Sequence, residues 1–218
     1  NVADWFRTQA YYESSSWRAT WKGEGGGVLL NQCPHQLDLF QWFFGMPERI
    51  HAFCKLGKYH KIEVEDEVTS YMEFANGVSA VFVSSTGELP GVNRLEIATE
   101  RGMVTLENGK IHFRRTTSDV SEVCLTSKEY MPQANCWEID IPVPNRAFSA
   151  TEIFDDFAHS IVTDSEPLIP GAEAMKSLEI GNAMLLSTLL QKSIEIPLDA
   201  DLYEQELLKL GGCRCDLE

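Results

Sequence analysis

The sequence predicts an α+β fold, a large and mostly antiparallel open-faced sheet with helices packed on one face. Three observations carry that expectation. Between residues 49 and 115 apolar side chains recur with period two, broken by Asn76-Gly77, Arg101-Gly102 and Asn108-Gly109, dipeptides that turn one strand back beside the next. Helix-like stretches lie before and after this run instead of alternating with it, so the helices gather on one side of an antiparallel meander. No G-x-G-x-x-G follows a strand, and Gly25-Gly26-Gly27 has neither that spacing nor the strand, so a dinucleotide fold is absent from these residues.

Each element follows in order. Residues 4–12 are rich in aromatics and stop at Ser14-Ser15-Ser16, which reads as a strand leaving the core for a loop that carries Trp17 to Trp21. Residues 28–44 are apolar on nearly every side and end at Gly45-Met46-Pro47, as a buried helix would. The meander uses 68–75, 78–84, 95–99, 103–107 and 110–115, and 136–143 adds one more strand ending in Pro142-Val143-Pro144. A helix over 151–163, capped by Ser149 or Thr151, precedes a second over 171–194 with Ala174, Leu178, Ala183, Leu186 and Leu190 as its apolar stripe. A short acidic helix over 202–210 closes the chain. Residues 1–210 are expected to form the domain and 211–218 a tail, with Leu217-Glu218 left by a vector. The chain opens at Asn1 without a methionine, so a fragment of a longer protein is expected.

The 218 residues include 44% hydrophobic side chains and a formal charge of -15, enough apolar material for a core and too acidic a surface for phosphate backbones or anionic lipid. Neither nucleic acid nor membrane is expected as a partner. The longest nearly apolar stretch, 183–190, is far short of a bilayer span. Six scattered cysteines in a chain of this size read as reduced thiols of a cytoplasmic protein. Cys213-x-Cys215 is half a metal knuckle without a second pair to complete four ligands, so no metal is expected.

Chemistry concentrates between Gly25 and Asp38. Asn31 and His35 are four apart and share one face of a continuous helix, an imidazole beside an amide able to orient it. Imidazole exchanges protons near neutral pH, which suits an alcohol or carbonyl substrate. A lone histidine in an apolar helix is more often a hydrogen-bonded core residue. Pro34 either kinks this helix or starts it, and the shared face requires the kinked case. In either case the two polar groups are expected among leucines and phenylalanines, while Asp38 holds the helix or the imidazole. Trp17, Arg18 and Trp21 supply indole faces and guanidinium donors for a pocket wall, or an ordinary lid on a core. His51, His60, His112 and His159 read as structural, and the acidic run Glu63, Glu65, Asp66 and Glu67 as a solvated approach to a strand.

The run Trp17-Arg18, then Gly-Gly-Gly-Val-Leu-Leu-Asn-x-Cys-x-His-x-Leu-Asp over 25–38, then Trp42 and Gly45-Met46-Pro47, resembles the second domain of the Gfo/Idh/MocA family of NAD(P)-dependent sugar and polyol oxidoreductases. The resemblance covers roughly residues 1–200 and is most specific over 17–47. It implies an N-terminal Rossmann domain, absent here, that binds NAD or NADP and supplies a Glu-Lys-Pro lysine. It makes His35 the acid/base and Asn31 its partner, and sets Trp17 and Arg18 near the nicotinamide and a sugar or polyol substrate. It implies a homodimer or homotetramer through the open sheet face. The commoner aspartate is Asn31 here, which cannot receive a proton, so a strict Lys-Asp-His relay is not expected. Without the cofactor domain the fragment is expected to be inert. The competing readings are a noncatalytic binding or assembly module and a redox-neutral nicotinamide-dependent sugar lyase or hydrolase.

Overall fold

A computed structural model describes residues 1–133, 135–143 and 150–211. In chain order the elements are β1 (Val2–Ala3), α1 (Gln9–Glu13), α2 (Val28–Asn31), α3 (Pro34–Phe44), β2 (Arg49–Leu56), β3 (Glu65–Glu73) and β4 (Ser79–Ser85). There follow β5 (Asn93–Thr99), β6 (Gly102–Glu107), β7 (Lys110–Thr116), α4 (Val120–Thr126) and β8 (Cys136–Ile141). Then come α5 (Ala150–Thr163), α6 (Gly171–Leu190), β9 (Ile194–Glu195) and α7 (Ala200–Gly211). The α+β class and the antiparallel strands agree with the sequence pattern. The chain divides into two compact units, the larger holding Ala3–Gly91 with the helices after residue 149, the smaller Val92–Phe148 with the first two residues.

In the larger unit β4, β3, β2 and β9 are neighbours in that order, each pair antiparallel. Alternation sends Ile50, Ala52, Cys54, Val68, Met72 and Phe82 inward, where each is buried. Helices α2, α3 and α6 cover that face. The second half of α6 buries Ile180, Met184, Leu185 and Leu186, each worth about 1.5–3 kcal/mol of removed apolar surface. Helix α6 packs on α3 with Gly181 facing Leu37, where a Cβ would stand in ordinary contact at 3.4 Å from Leu37 Cδ1. Two hydroxyls of α6 bind the backbone of β2. The Ala52 N–H donates to Ser187 Oγ at 3.0 Å, the Cys54 N–H to Thr188 Oγ1 at 2.8 Å, and Thr188 Oγ1 donates to the Ala52 carbonyl at 3.1 Å. The opposite face presents His51, Phe53, Tyr71 and Val81, with Phe53 61% exposed.

In the smaller unit β5, β6, β7 and β8 form an antiparallel meander. Gly102 turns β5 into β6 at φ 124°, and a Cβ there would fall 1.9 Å from the Arg114 carbonyl oxygen, so only glycine fits. No described residue of 92–143 is buried; the core of the described residues sits in the larger unit. Among the described residues no helix is long and apolar enough to cross a membrane.

Several expectations need correction. Residues 4–12 are not a strand: only Val2–Ala3 is, and Thr8 caps α1 by accepting from the Tyr11 N–H at 3.3 Å. Tyr12 is buried on that short helix, its ring 4.8 Å from His60, so the aromatics serve helix packing. The expected helix over 28–44 is two helices, because Pro34 lacks an N–H and occupies the first turn of α3 behind Cys33. The helix over 171–194 stops at Leu190, where Gln191 turns left-handed at φ 51° and frees Ile194 to pair with Ile50. Of its stripe, Ala174 and Leu178 are exposed, whereas Ser177, Ile180 and 183–187 are buried, since the second half is enclosed on most sides. Helix α4 carries no strong period and was not expected. The Ser149 cap, Pro144, Cys213, Cys215 and Leu217-Glu218 lie outside the described residues.

Candidate functional site

The site begins with a strand side chain that holds a loop. Glu65, at the start of β3, is 1% exposed, and its Oε1 accepts from the Gly27 N–H at 2.8 Å and the Leu29 N–H at 3.2 Å. The glycines allow this approach, for a Cβ on Gly27 would sit 1.9 Å from the Glu65 carbonyl oxygen. Burial pushes the Glu65 carboxyl up to about 7 against the opposing pull of those backbone N–H groups.

From that anchor α2 carries Asn31 into a polar network. The Asn31 side-chain amide donates to Glu24 Oε1 by a short hydrogen bond, and its Oδ1 accepts from Gln32 Nε2 at 3.0 Å. Glu24 Oε2 also accepts from the Ala19 N–H at 2.6 Å. Arg18 stands 4.0 Å from Glu24, donates to the Tyr11 hydroxyl at 2.7 Å, and stacks over the rings of Tyr11 and Trp17 at 4.4 and 4.7 Å. Trp17 leaves 47% of its surface to solvent. Trp21 packs with Tyr11 and Ile62 against the small cluster of Tyr12, Ala19 and Val64, and its N–H donates to Glu63 Oε2 at 3.1 Å.

His35, the second residue of α3, is exposed and makes no hydrogen bond or ion pair among the described residues. Asn31 is exposed too, so the expected packing of both among leucines and phenylalanines is corrected: restarting the helix at Pro34 turns Leu37 and Phe40 inward and His35 outward. Asn31 and His35 are not hydrogen-bonded to each other; the amide is engaged by Glu24 and Gln32. Asp38 serves its helix, accepting from Gln41 Nε2 at 2.9 Å.

The acidic run is not a solvated approach either. Asp66 is 0% exposed and collects the N–H groups of Lys58, Tyr59 and His60 at 2.8, 2.8 and 3.1 Å. His60 Nδ1 lies 3.1 Å from the same carboxylate and its Nε2 donates to the Arg7 carbonyl at 3.0 Å, a structural histidine. A bulge at the start of β3, where Glu67 and Glu65 face the consecutive Lys55 and Leu56, breaks strict alternation and lets the adjacent Glu65 and Asp66 both be buried. Sequence reasoning also missed Tyr11, Glu24 and Gln32. Their one signal is proximity in the chain to the glycine run. Cys33 is buried, donates to Ser84 Oγ at 3.1 Å, and has its thiol pushed up to about 12 by desolvation, so it is no nucleophile.

Comparison with known proteins finds a similar domain and a shared fold. Residues 2–105 match the model of the GFO/IDH/MocA C-terminal domain. Among solved structures the chain is similar to the WlbA dehydrogenase from Bordetella pertussis in complex with NADH and UDP-GlcNAcA, at 21% identity and TM-score 0.63, covering 91% of this chain and 53% of that one. A WlbA structure from Chromobacterium violaceum with the same two ligands gives 24% and 0.63, covering 91% and 54%. A levoglucosan dehydrogenase in complex with NADH and levoglucosan gives 14% and 0.67, covering 90% and 57%. The chain thus spans little more than half the length of these structures. No curated protein matches the sequence. The matched stretch, a little under half of the chain, contains the glycine run, Glu24, Asn31, His35 and Glu65, and over it the chain is similar to the GFO/IDH/MocA C-terminal domain.

Proposed function

We propose that this chain is the substrate-binding and oligomerisation domain of a cytoplasmic NAD(P)-dependent oxidoreductase, which moves a hydride between the nicotinamide and a hydroxyl-bearing carbon of a sugar or polyol. The observation that carries it is His35, an exposed imidazole with no partner among the described residues, four residues along the chain from Asn31, which a side-chain network holds. The solved dehydrogenases of the same fold were obtained with NADH and sugar ligands, which supports the substrate class.

The residues present suit one end of the cofactor. Trp17, exposed and stacked by Arg18, offers an aromatic face for the nicotinamide end, whereas Gly27 is packed on the Glu65 backbone and offers no phosphate cradle. The dinucleotide, held mainly by an N-terminal domain, accepts or returns the hydride when bound. His35 takes the hydroxyl proton as the substrate carbon is oxidised and returns it in the reverse direction. Asn31 orients and cannot relay the proton. Trp17, Arg18 and Trp21 form the substrate wall.

The apolar open face of β2, β3 and β4, with Phe53, Tyr71 and Val81, builds a homodimer or homotetramer with further copies. The buried thiols of Cys33 and Cys54 support a reducing compartment.

A hydride-transfer assay on the full-length parent, with NAD and NADP against sugars, polyols and sugar acids, tests the reading. His35→Ala is expected to lower kcat about 10²–10⁴-fold with the fold intact. Turnover that survives the substitution overturns the assignment. The missing hydrogen bond between Asn31 and His35 favours a second reading, a noncatalytic binding or assembly module, which predicts cofactor binding without turnover on the whole panel. Sugar consumption with no net change in NADH points instead to a redox-neutral lyase or hydrolase.

A further inference from the structure

Behind the glycine loop lies a small cavity bounded by Gly25, Gly26, Glu65, Asn182 and Tyr203. It leaves about 10 Å³ for the centre of a water molecule, room for one. Glu65 presents its two oxygens to different surroundings. Oε1 takes both loop N–H groups, while Oε2, buried, has no hydrogen-bond partner among the described residues. A carboxylate with one oxygen saturated and the other orphaned is costly to bury as an anion, and the neutral acid needs somewhere to direct its proton. Glu65 lines that cavity together with Leu29, Leu30, Leu178 and Leu185.

We propose that Glu65 is a positioning residue of the site, fixing through Gly27 and Leu29 the turn that presents Asn31 to Glu24. This rests on the oxidoreductase reading for its catalytic meaning, though not for its geometry. The chain from Glu65 to the network is short: the two amides it holds are the residue before α2 and the second residue of α2, and Asn31 ends that helix. Groups that sense its charge are Glu24 on the loop, Cys33 at the start of α3, Cys54 on β2 and Tyr203 on α7, none of them a cation. Burial therefore dominates, the carboxyl titrates at about 7, and the anion strengthens acceptance at Oε1 while stranding Oε2.

Amide NMR of the 218-residue chain between pH about 5 and 9 tests this without any turnover. In the wild type the backbone amides of Gly27 and Leu29 and the side-chain amide of Asn31 are expected to shift together with one midpoint. Glu65→Gln, which keeps the Oε1 acceptor, is expected to hold all three signals near their low-pH positions and remove the midpoint. Signals that stay still in the wild type, or that still titrate together in Glu65→Gln, overturn the proposal. Glu65→Ala is expected to move the Asn31 signal, and if it fails to fold, the wild-type titration and Glu65→Gln decide alone. In the full-length parent, Glu65→Ala is expected to lower kcat about tenfold or more with KM changed less than about twofold, and Glu65→Gln to restore kcat and remove the Glu65 midpoint from its pH profile. A common NMR midpoint in a parent that turns nothing over supports the positioning role and removes only the oxidoreductase reading.

Discussion

Glu65 ties pH to stability as well as to geometry. Its folded pKa, raised from 4.5 to about 7, means that the folded chain holds a proton the unfolded chain has already released. That contribution is fully present below the unfolded value of 4.5 and is lost as pH rises to about 7, so stability should fall across this window by about 3 kcal/mol. Urea unfolding of the wild type and Glu65→Gln at several pH values checks it: the variant should lack the Glu65 part of the slope. Asn31→Asp would restore the commoner carboxylate but place it against Glu24, replacing a donor with a like charge. Above pH about 5 it should cost about 1–3 kcal/mol by the same measurement, unless the pair shares a proton. The Asn31 and His35 positions were legible from spacing and resemblance. Glu24 and Glu65 were not, because what makes them matter is a side-chain hydrogen bond across a loop and a bulge that hides two consecutive acids, neither of which leaves a period in the sequence.

At the scale of elements, the sequence located most of the helices and strands and misjudged where several begin. The Asn-Gly and Arg-Gly turns set the meander correctly, since a dipeptide with positive φ acts locally. Helix boundaries depended on contacts made far away. Pro34 could have kinked or started a helix, and only the inward demand of Leu37 and Phe40 decides for starting it. Leu37 is fully buried between α3 and α6 with Gly181 facing it, so Leu37→Ala should cost about 2–5 kcal/mol in urea unfolding. The α6 hydroxyls read as neutral interruptions of an apolar run, yet Ser187 both accepts from the Ala52 N–H and donates to the Lys192 carbonyl at 2.6 Å. Ser187→Ala removes both, leaves a buried N–H unpaired and should cost about 1–3 kcal/mol, with faster hydrogen exchange at Ala52 as its local signature.

For the whole molecule, composition spoke to partners and topology to assembly. A charge of -15 opposes close approach of copies at low salt, while the apolar face of β2 to β4 favours it, so self-association should strengthen as salt screens the charge. Sedimentation at micromolar concentration and two salt levels checks this, and Phe53→Glu with Tyr71→Glu should leave monomer at both. The sequence pattern does not show the division into two compact units, because strands continue with the same period through both and what separates them is how the chain packs. The hydroxyls of α6 that cap β2 also determine what kind of association is open to the chain on that side. A strand whose outward N–H and carbonyl groups are already taken by Ser187 and Thr188 offers no template for another strand, so copies cannot extend the sheet there into a fibre. In the proposed assembly contact would fall to a face instead, and a face that meets its own copy about a two-fold axis would be used up by one partner.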